Sequence, residues 1–215
     1  MQMQTDIEQL KQALGKRLVE IVLYEMLAQE HLSEEDLQDK KAIFKKLYEF
    51  SQKANFTIVA DHRDSILKTA EDFLSTKQYG FSLIFFAMFF EHSINYLITH
   101  QFEKKKISKK KGIELIKSAN IEAKFSSILE QLEMPKFSQS HKKTIMDIAK
   151  ERNAYIHYKW ISLTDSEESD KHTKTLNLIS AVRKSVTYMK TYESRILYAN
   201  KKKKLKDTLK LPFVG

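Results

Sequence analysis

Cysteine is absent from this chain, which excludes disulfides, thiolate nucleophiles and cysteine-liganded zinc and fits an intracellular protein. Glycine occurs only four times and proline twice in 215 residues. A sheet-rich or loop-rich protein needs turn residues that this chain lacks. Its lysine, glutamate and leucine instead suit helical backbones, so the fold class expected is all-α. The start, Met1-Gln2-Met3-Gln4-Thr5-Asp6, carries an early acid and no apolar core of a signal peptide, so no secretory leader and a cytoplasmic location are expected. Long apolar runs are scarce as well. Phe81 to Ile98 is broken by Glu91, His92 and Asn95 before reaching the roughly 20 residues that span a bilayer. It reads as a buried helix, with no membrane partner.

What is present is a hydrophobic content of 42%, enough to bury a substantial core. The formal net charge of +9 favours polyanionic partners. Much of the excess is local: Lys104, Lys105, Lys106, Lys109, Lys110 and Lys111 form one cluster, and Lys201 to Lys204 with Lys206 form another. Either cluster reads as a nucleic-acid-binding surface or as a solvated face.

Apolar residues at helical spacing predict a first helix over residues 7–29, through Leu10, Leu14, Leu18, Ile21 and Val22. Ser33 followed by Glu34, Glu35 and Asp36 reads as the cap of a second helix running to about Gln52. Residues 54–60 read as a connection, and Asp61 as the cap of a third helix ending before Gly80. Phe81 to about Phe102 is apolar nearly all round in its first half, which belongs at the centre of a bundle or in a subunit contact. Gly112 is expected at a turn or helix end. Ile121, Phe125, Ile128, Leu129 and Leu132 outline a further helix stopped near Pro135. Ser138 or Ser140 caps the next, which runs into the segment Glu151-Arg152-Asn153-Ala154-Tyr155-Ile156-His157-Tyr158-Lys159-Trp160. Residues 164–170 are acidic and read as a loop before a long last helix marked by Leu176, Ile179, Val182, Val186, Met189, Tyr192 and Ile196. Residues 1–79 read as an N-terminal helical region, 80–200 as the main bundle and 201–215 as a basic C-terminal tail, with Leu205, Leu209, Leu211 and Phe213 available to dock it.

Several chemistries lack their motifs. No glycine-rich phosphate loop, no HExxH and no dense carboxylate–histidine cluster occurs, so no metal and no cofactor are expected. The segment around Arg152 is different. Counting about 100° per residue from Ile145 keeps Ile148, Ala149, Arg152 and Ile156 on one helical face, with Asn153 at its border. Arg152 therefore points along the buried stripe, where a guanidinium needs paired acceptors or a polar cavity. His157 lies about 140° further round, so the two tips reach one pocket only through long side chains, a local helix end, or supply from two subunits.

The run Arg152-Asn153-Ala154-Tyr155-Ile156-His157 resembles the RNxxxH form of the Rx4-6H motif of HEPN ribonucleases. The apolar helix upstream and the long amphipathic helix downstream are similar to that family too. The resemblance covers residues 80–198 and leaves the first 79 residues unaccounted for. It implies a HEPN-like helical bundle, here with an additional N-terminal helical region, that pairs as a homodimer with motifs facing a shared cleft. It implies also a metal-independent endoribonuclease in a toxin–antitoxin or antiviral system, with a cognate antitoxin or defence-complex protein as partner. Other members are non-catalytic RNA-binding or scaffold modules. A subgroup of toxins carries a tyrosine two residues after the histidine, where an antitoxin modifies it. Here that position is Lys159, with Tyr158 before it, which departs from the pattern.

On this reading His157 moves the proton of a ribose 2′-hydroxyl or of the leaving 5′-oxygen. Arg152 pairs with nonbridging phosphate oxygens, and Asn153 orients the histidine or the phosphate. Glu91, His92 and Tyr158 are supporting candidates, and the lysines between 104 and 111 would bind RNA. The alternatives stay open: Asn153 as a buried amide bonded to backbone, Arg152 and His157 as a structural unit paired with Glu91, and Tyr155, Tyr158 and Trp160 closing the core edge instead of stacking on a base.

Overall fold

The computed structural model describes the backbone at residues 15, 18–53, 61–156, 165–199 and 201–209, and the side chains of these except at 53, 109 and 165–172. The described residues form helices and turns with no strand, in keeping with the scarcity of turn residues. The helices are α1 (18–28), α2 (Lys40–Lys53), α3 (Arg63–Ser75), α4 (Tyr79–Lys104), α5 (Lys109–Ser118), α6 (Ile121–Lys124), α7 (Ser127–Gln131), α8 (Gln139–Ile156), α9 (Asp165–Tyr198) and α10 (Lys201–Leu209). The protein is an all-α, multi-helix bundle.

The chain divides into two compact units, one of Met1–Ile58 with Leu197–Gly215 and one of Val59–Ile196. In the first, Leu23, Met26, Leu27, Leu32, Leu37 and Ile43 make a core that Leu205 and Leu209 of α10 complete. Ser33 does not open a long helix. Its hydroxyl and backbone N–H both donate to Asp36 Oδ2 at 2.8 Å, and Asp36 N–H returns a bond to Ser33 Oγ. This reciprocal box closes the single 3-10 turn Asp36–Gln38, and α2 begins after it.

In the second unit α4 is the central element. Phe86, Phe90, Ile94, Leu97 and Ile98 are fully buried along it, with α3 and α8 packed against it. By length and composition α4 is apolar enough to cross a membrane, and half of its most apolar window is buried inside the protein. The helix expected from Ile121 to Leu132 is two short ones, α6 and α7, separated by a turn at Phe125 and Ser126. Its apolar pattern survives the break, since Phe125, Ile128, Leu129 and Leu132 are all buried. The acidic stretch read as a loop belongs to α9 from Asp165 onward. Acids in a first helical turn complement the positive end of the helix dipole, a use of Asp and Glu that polarity alone does not reveal.

Candidate functional site

Helix α8 carries Arg152 to Ile156 of the motif at its end, packs against α4, and buries Ile145 and Ile148. Tyr155 fixes the helix end: its ring lies 5.4 Å from that of Phe81, over Gly80, where an added Cβ would fall 2.5 Å from Tyr155 Cε2. The last turn of α8 thus meets the first turn of α4.

Arg152 is half-buried, but the stripe expected through it does not stay buried to its end: Ile156 is 46% exposed, and Asn153 is exposed instead of forming a buried amide. The Arg152 Nε is buried without a hydrogen-bond partner, and the guanidinium forms no ion pair with a described residue. Glu91 does not supply one. Its carboxylate accepts from Lys124 Nζ at 3.2 Å, and Lys124 is itself almost wholly enclosed. His92 follows Glu91 on α4 and is exposed. The structure thus brings Arg152 and Asn153 together with Tyr155 and leaves Glu91 and His92 further along the core helix. His157, Tyr158, Lys159 and Trp160 lie outside the described residues.

The lysine cluster straddles the α4–α5 connection. Lys104, Lys105, Lys106, Lys110 and Lys111 are exposed, and the side chain of Lys109 is not among those described. Lys105 Nζ lies 2.9 Å from Glu133 Oε1, and that hydrogen bond holds the Glu133 carboxyl below the usual carboxylate range. Lysines at the end of α4 suit its dipole; those in the first turn of α5 oppose it and gain from an anion nearby.

Sequence reasoning missed Lys124, the buried partner of Glu91, because nothing in the sequence separates it from its solvated neighbours. It missed also His141, whose Nδ1 lies 2.9 Å from Ser185 Oγ and whose ring stacks on Tyr188 at 4.3 Å. Ser185 Oγ already donates to Ala181 O, so His141 Nδ1 donates to Ser185. Burial pushes the His141 imidazole below its ordinary range. Ser185 is fully buried, which makes this pair a helix-to-helix fastening rather than a nucleophile and base. Among the described residues no group of three or more His, Cys, Asp or Glu side chains is placed to hold a metal ion. Comparison with family models, with curated proteins and with solved structures gave no match.

Proposed function

We propose that this chain is a metal-independent endoribonuclease of the HEPN type, acting in a toxin–antitoxin or antiviral setting as a homodimer. The observation that carries the reading is Arg152: a half-buried residue whose buried Nε has no hydrogen-bond partner and which forms no ion pair with a described residue, inside the sequence Arg-Asn-x-x-x-His. A structural arginine in such a place is ordinarily satisfied by a carboxylate. With no carboxylate partner among the described residues, Arg152 suits a ligand with paired acceptors, and a phosphodiester offers them in the fitting geometry.

His157 acts as general base on the ribose 2′-hydroxyl. The 2′-oxygen attacks phosphorus, the bond to the 5′-oxygen breaks, and a protonated imidazole donates to that leaving oxygen. The products are a 2′,3′-cyclic phosphate and a 5′-hydroxyl. Two copies of His157 across a two-fold axis divide the acid and base duties, and Arg152 offsets the charge growing on the nonbridging oxygens. The exposed lysines of the α4–α5 connection support a polyanionic substrate.

The test is incubation of the purified protein with tRNA, mRNA and rRNA pools in excess EDTA, with end-group analysis of the fragments. Cyclic-phosphate ends are expected from the wild type and none from H157A, and R152A is expected to slow cleavage on the order of 10²–10³-fold. Salt-sensitive RNA binding with no such ends on any RNA would replace this reading with a non-catalytic RNA-binding or scaffold module, which the exposed lysines also suit.

A further inference from the structure

Helix α2 has two faces that serve different ends. Ile43 is fully buried, and Leu47 and Phe50 pack beside it against the core of the first unit. Those three residues attach the helix. Phe44 and Tyr48 are not needed for that, and they stand 47% and 67% exposed, one helical turn apart.

Three lysines surround them. At about 100° per residue, Lys40, Phe44, Tyr48, Lys41 and Lys45 share an arc of about 140°, and Glu49 falls outside it. Lys40 Nζ sits 5.8 Å from the Phe44 ring centroid. Lys46, on the other side of the helix, is committed to Asp36. Lys40, Lys41 and Lys45 form no ion pair with a described residue. The face is therefore two open aromatic rings flanked by three cations that no carboxylate of the described residues pairs with.

We propose that this face of α2 binds single-stranded RNA, with Phe44 and Tyr48 stacking on bases and Lys40, Lys41 and Lys45 holding the phosphates. The rings are about 6 Å apart along the helix, wider than the spacing of about 3.4 Å between stacked bases of one strand. Each ring therefore takes its own unstacked base, which a duplex does not present. A second copy of the chain fits poorly, because joining stripe to stripe opposes three cations with three more. An acidic protein segment would use the lysines and leave the rings idle. The proposal shares with the preceding reading only the choice of RNA as the polyanion, and it needs neither Arg152 nor His157.

The test uses the whole chain and a labelled 2′-O-methyl oligouridylate, which lacks the attacking hydroxyl, so binding is read whether or not the protein cleaves. Tighter binding to this strand than to its duplex with a complementary oligonucleotide is expected. The variant F44L/Y48L keeps apolar bulk and helicity but has no π face. It is expected to lose about 30-fold or more in affinity, from stacking contributions of about 1–3 kcal/mol per base. F44Y/Y48F keeps both rings and is expected to bind as wild type. K40Q/K41Q/K45Q is expected to flatten the dependence of log affinity on log salt by about 0.7 for each phosphate that is no longer neutralised. Equal binding by F44L/Y48L and wild type overturns the proposal. So does a preference for duplex, binding to phosphatidylserine vesicles without binding to the strand, or a change of oligomeric state as the main effect of the ring variants. Loss of binding in F44L/Y48L alongside a chain that yields no cyclic-phosphate ends would sink the nuclease reading alone. Cyclic-phosphate cleavage with F44L/Y48L binding unchanged would sink this one alone.

Discussion

Arg63 of the second unit shows what a structural guanidinium requires and what Arg152 lacks among the described residues. Arg63 donates from Nε and Nη2 to the Asp61 carboxylate at 2.9 and 2.6 Å, and from Nη1 to Glu193 Oε2 at 2.6 Å. Its plane lies 4.3 Å from the Tyr96 ring. Burial pushes the Asp61 carboxyl up, but the hydrogen bonds from Arg63 outweigh it and hold the group below the ordinary range. Glu193 ends on the other side, above the ordinary range, because burial raises it and Arg63 only partly offsets that. For Asp61 the folded value lies below the unfolded one. Its stabilising contribution is therefore present above pH of about 4 and is lost as pH falls through the folded value. D61N is expected to cost about 1 kcal/mol at neutral pH after allowance for solvent screening. In urea titrations that deficit should close as the pH is lowered past about 4. A deficit that stays constant with pH would show that the charge of Asp61 is not what holds Arg63. At this scale Asp61 was readable as a helix-start residue and Ile145 and Ile148 as a buried stripe, since both are local properties of spacing, whereas the exposure of Ile156 at the end of that stripe was not. Glu193 and Lys124 were not readable, because their partners come from distant parts of the chain.

Helix ends explain why element boundaries were harder to read than element identities. Lys77, Lys106 and Glu133 all adopt left-handed backbone, with φ of 60°, 55° and 56°. Each is followed by a residue whose N–H bonds back five residues: Gln78 to Phe73 O, Ile107 to Phe102 O and Met134 to Leu129 O. These are the closures in which glycine is usual, made here without it, so the punctuation that marks a helix end is missing from the sequence. Lys77 has no ion pair among the described residues. K77G is expected to raise stability by about 1 kcal/mol through relief of the left-handed conformation, read as a rise in the urea midpoint. A lower midpoint would mean that the flexibility of unfolded glycine outweighs the relief. The chain's own glycines do other work. Gly112, expected at a helix end, lies inside α5, where an added Cβ would come 3.3 Å from Phe102. Gly80 lies inside α4 beneath the Tyr155 ring. G80A gains about 1 kcal/mol of helix propensity but overpacks against that ring at a cost of about 1–3 kcal/mol. G80A is expected to destabilise the wild type and to stabilise Y155A. Destabilisation of similar size in both backgrounds would place the crowding elsewhere and leave the end of α8 without its proposed seat.

For the whole molecule, the distribution of positive charge separates two kinds of lysine that composition treats alike. The C-terminal lysines are largely spoken for. Lys202 lies over the rings of Tyr24 and Tyr198, Lys204 pairs with Glu34 at 2.9 Å, and Lys206 approaches Glu20 at 3.9 Å. This segment, read as a basic tail able to dock, is a helix whose Leu205 and Leu209 close the core of the first unit. Its apolar residues are spaced four apart, which made docking legible; its depth was not, because four consecutive lysines read as a solvated run. Leu211 and Phe213 lie outside the described residues. Thr208 Oγ1 adds a bond of 2.6 Å to Leu37 O, tying α10 to the 3-10 turn near the other end of the chain. Removing both leucine side chains is therefore expected to act on the first unit. L205A/L209A should cost about 4 kcal/mol or more, at about 2–5 kcal/mol for each buried leucine. Hydrogen exchange should show reduced protection across residues 18–53 and 201–209, while α4 and α8 keep theirs. Protection falling together in both regions would mean that the two units unfold as one. In that case Leu205 and Leu209 would hold the candidate RNA face of α2 and the motif of α8 in a single cooperative structure.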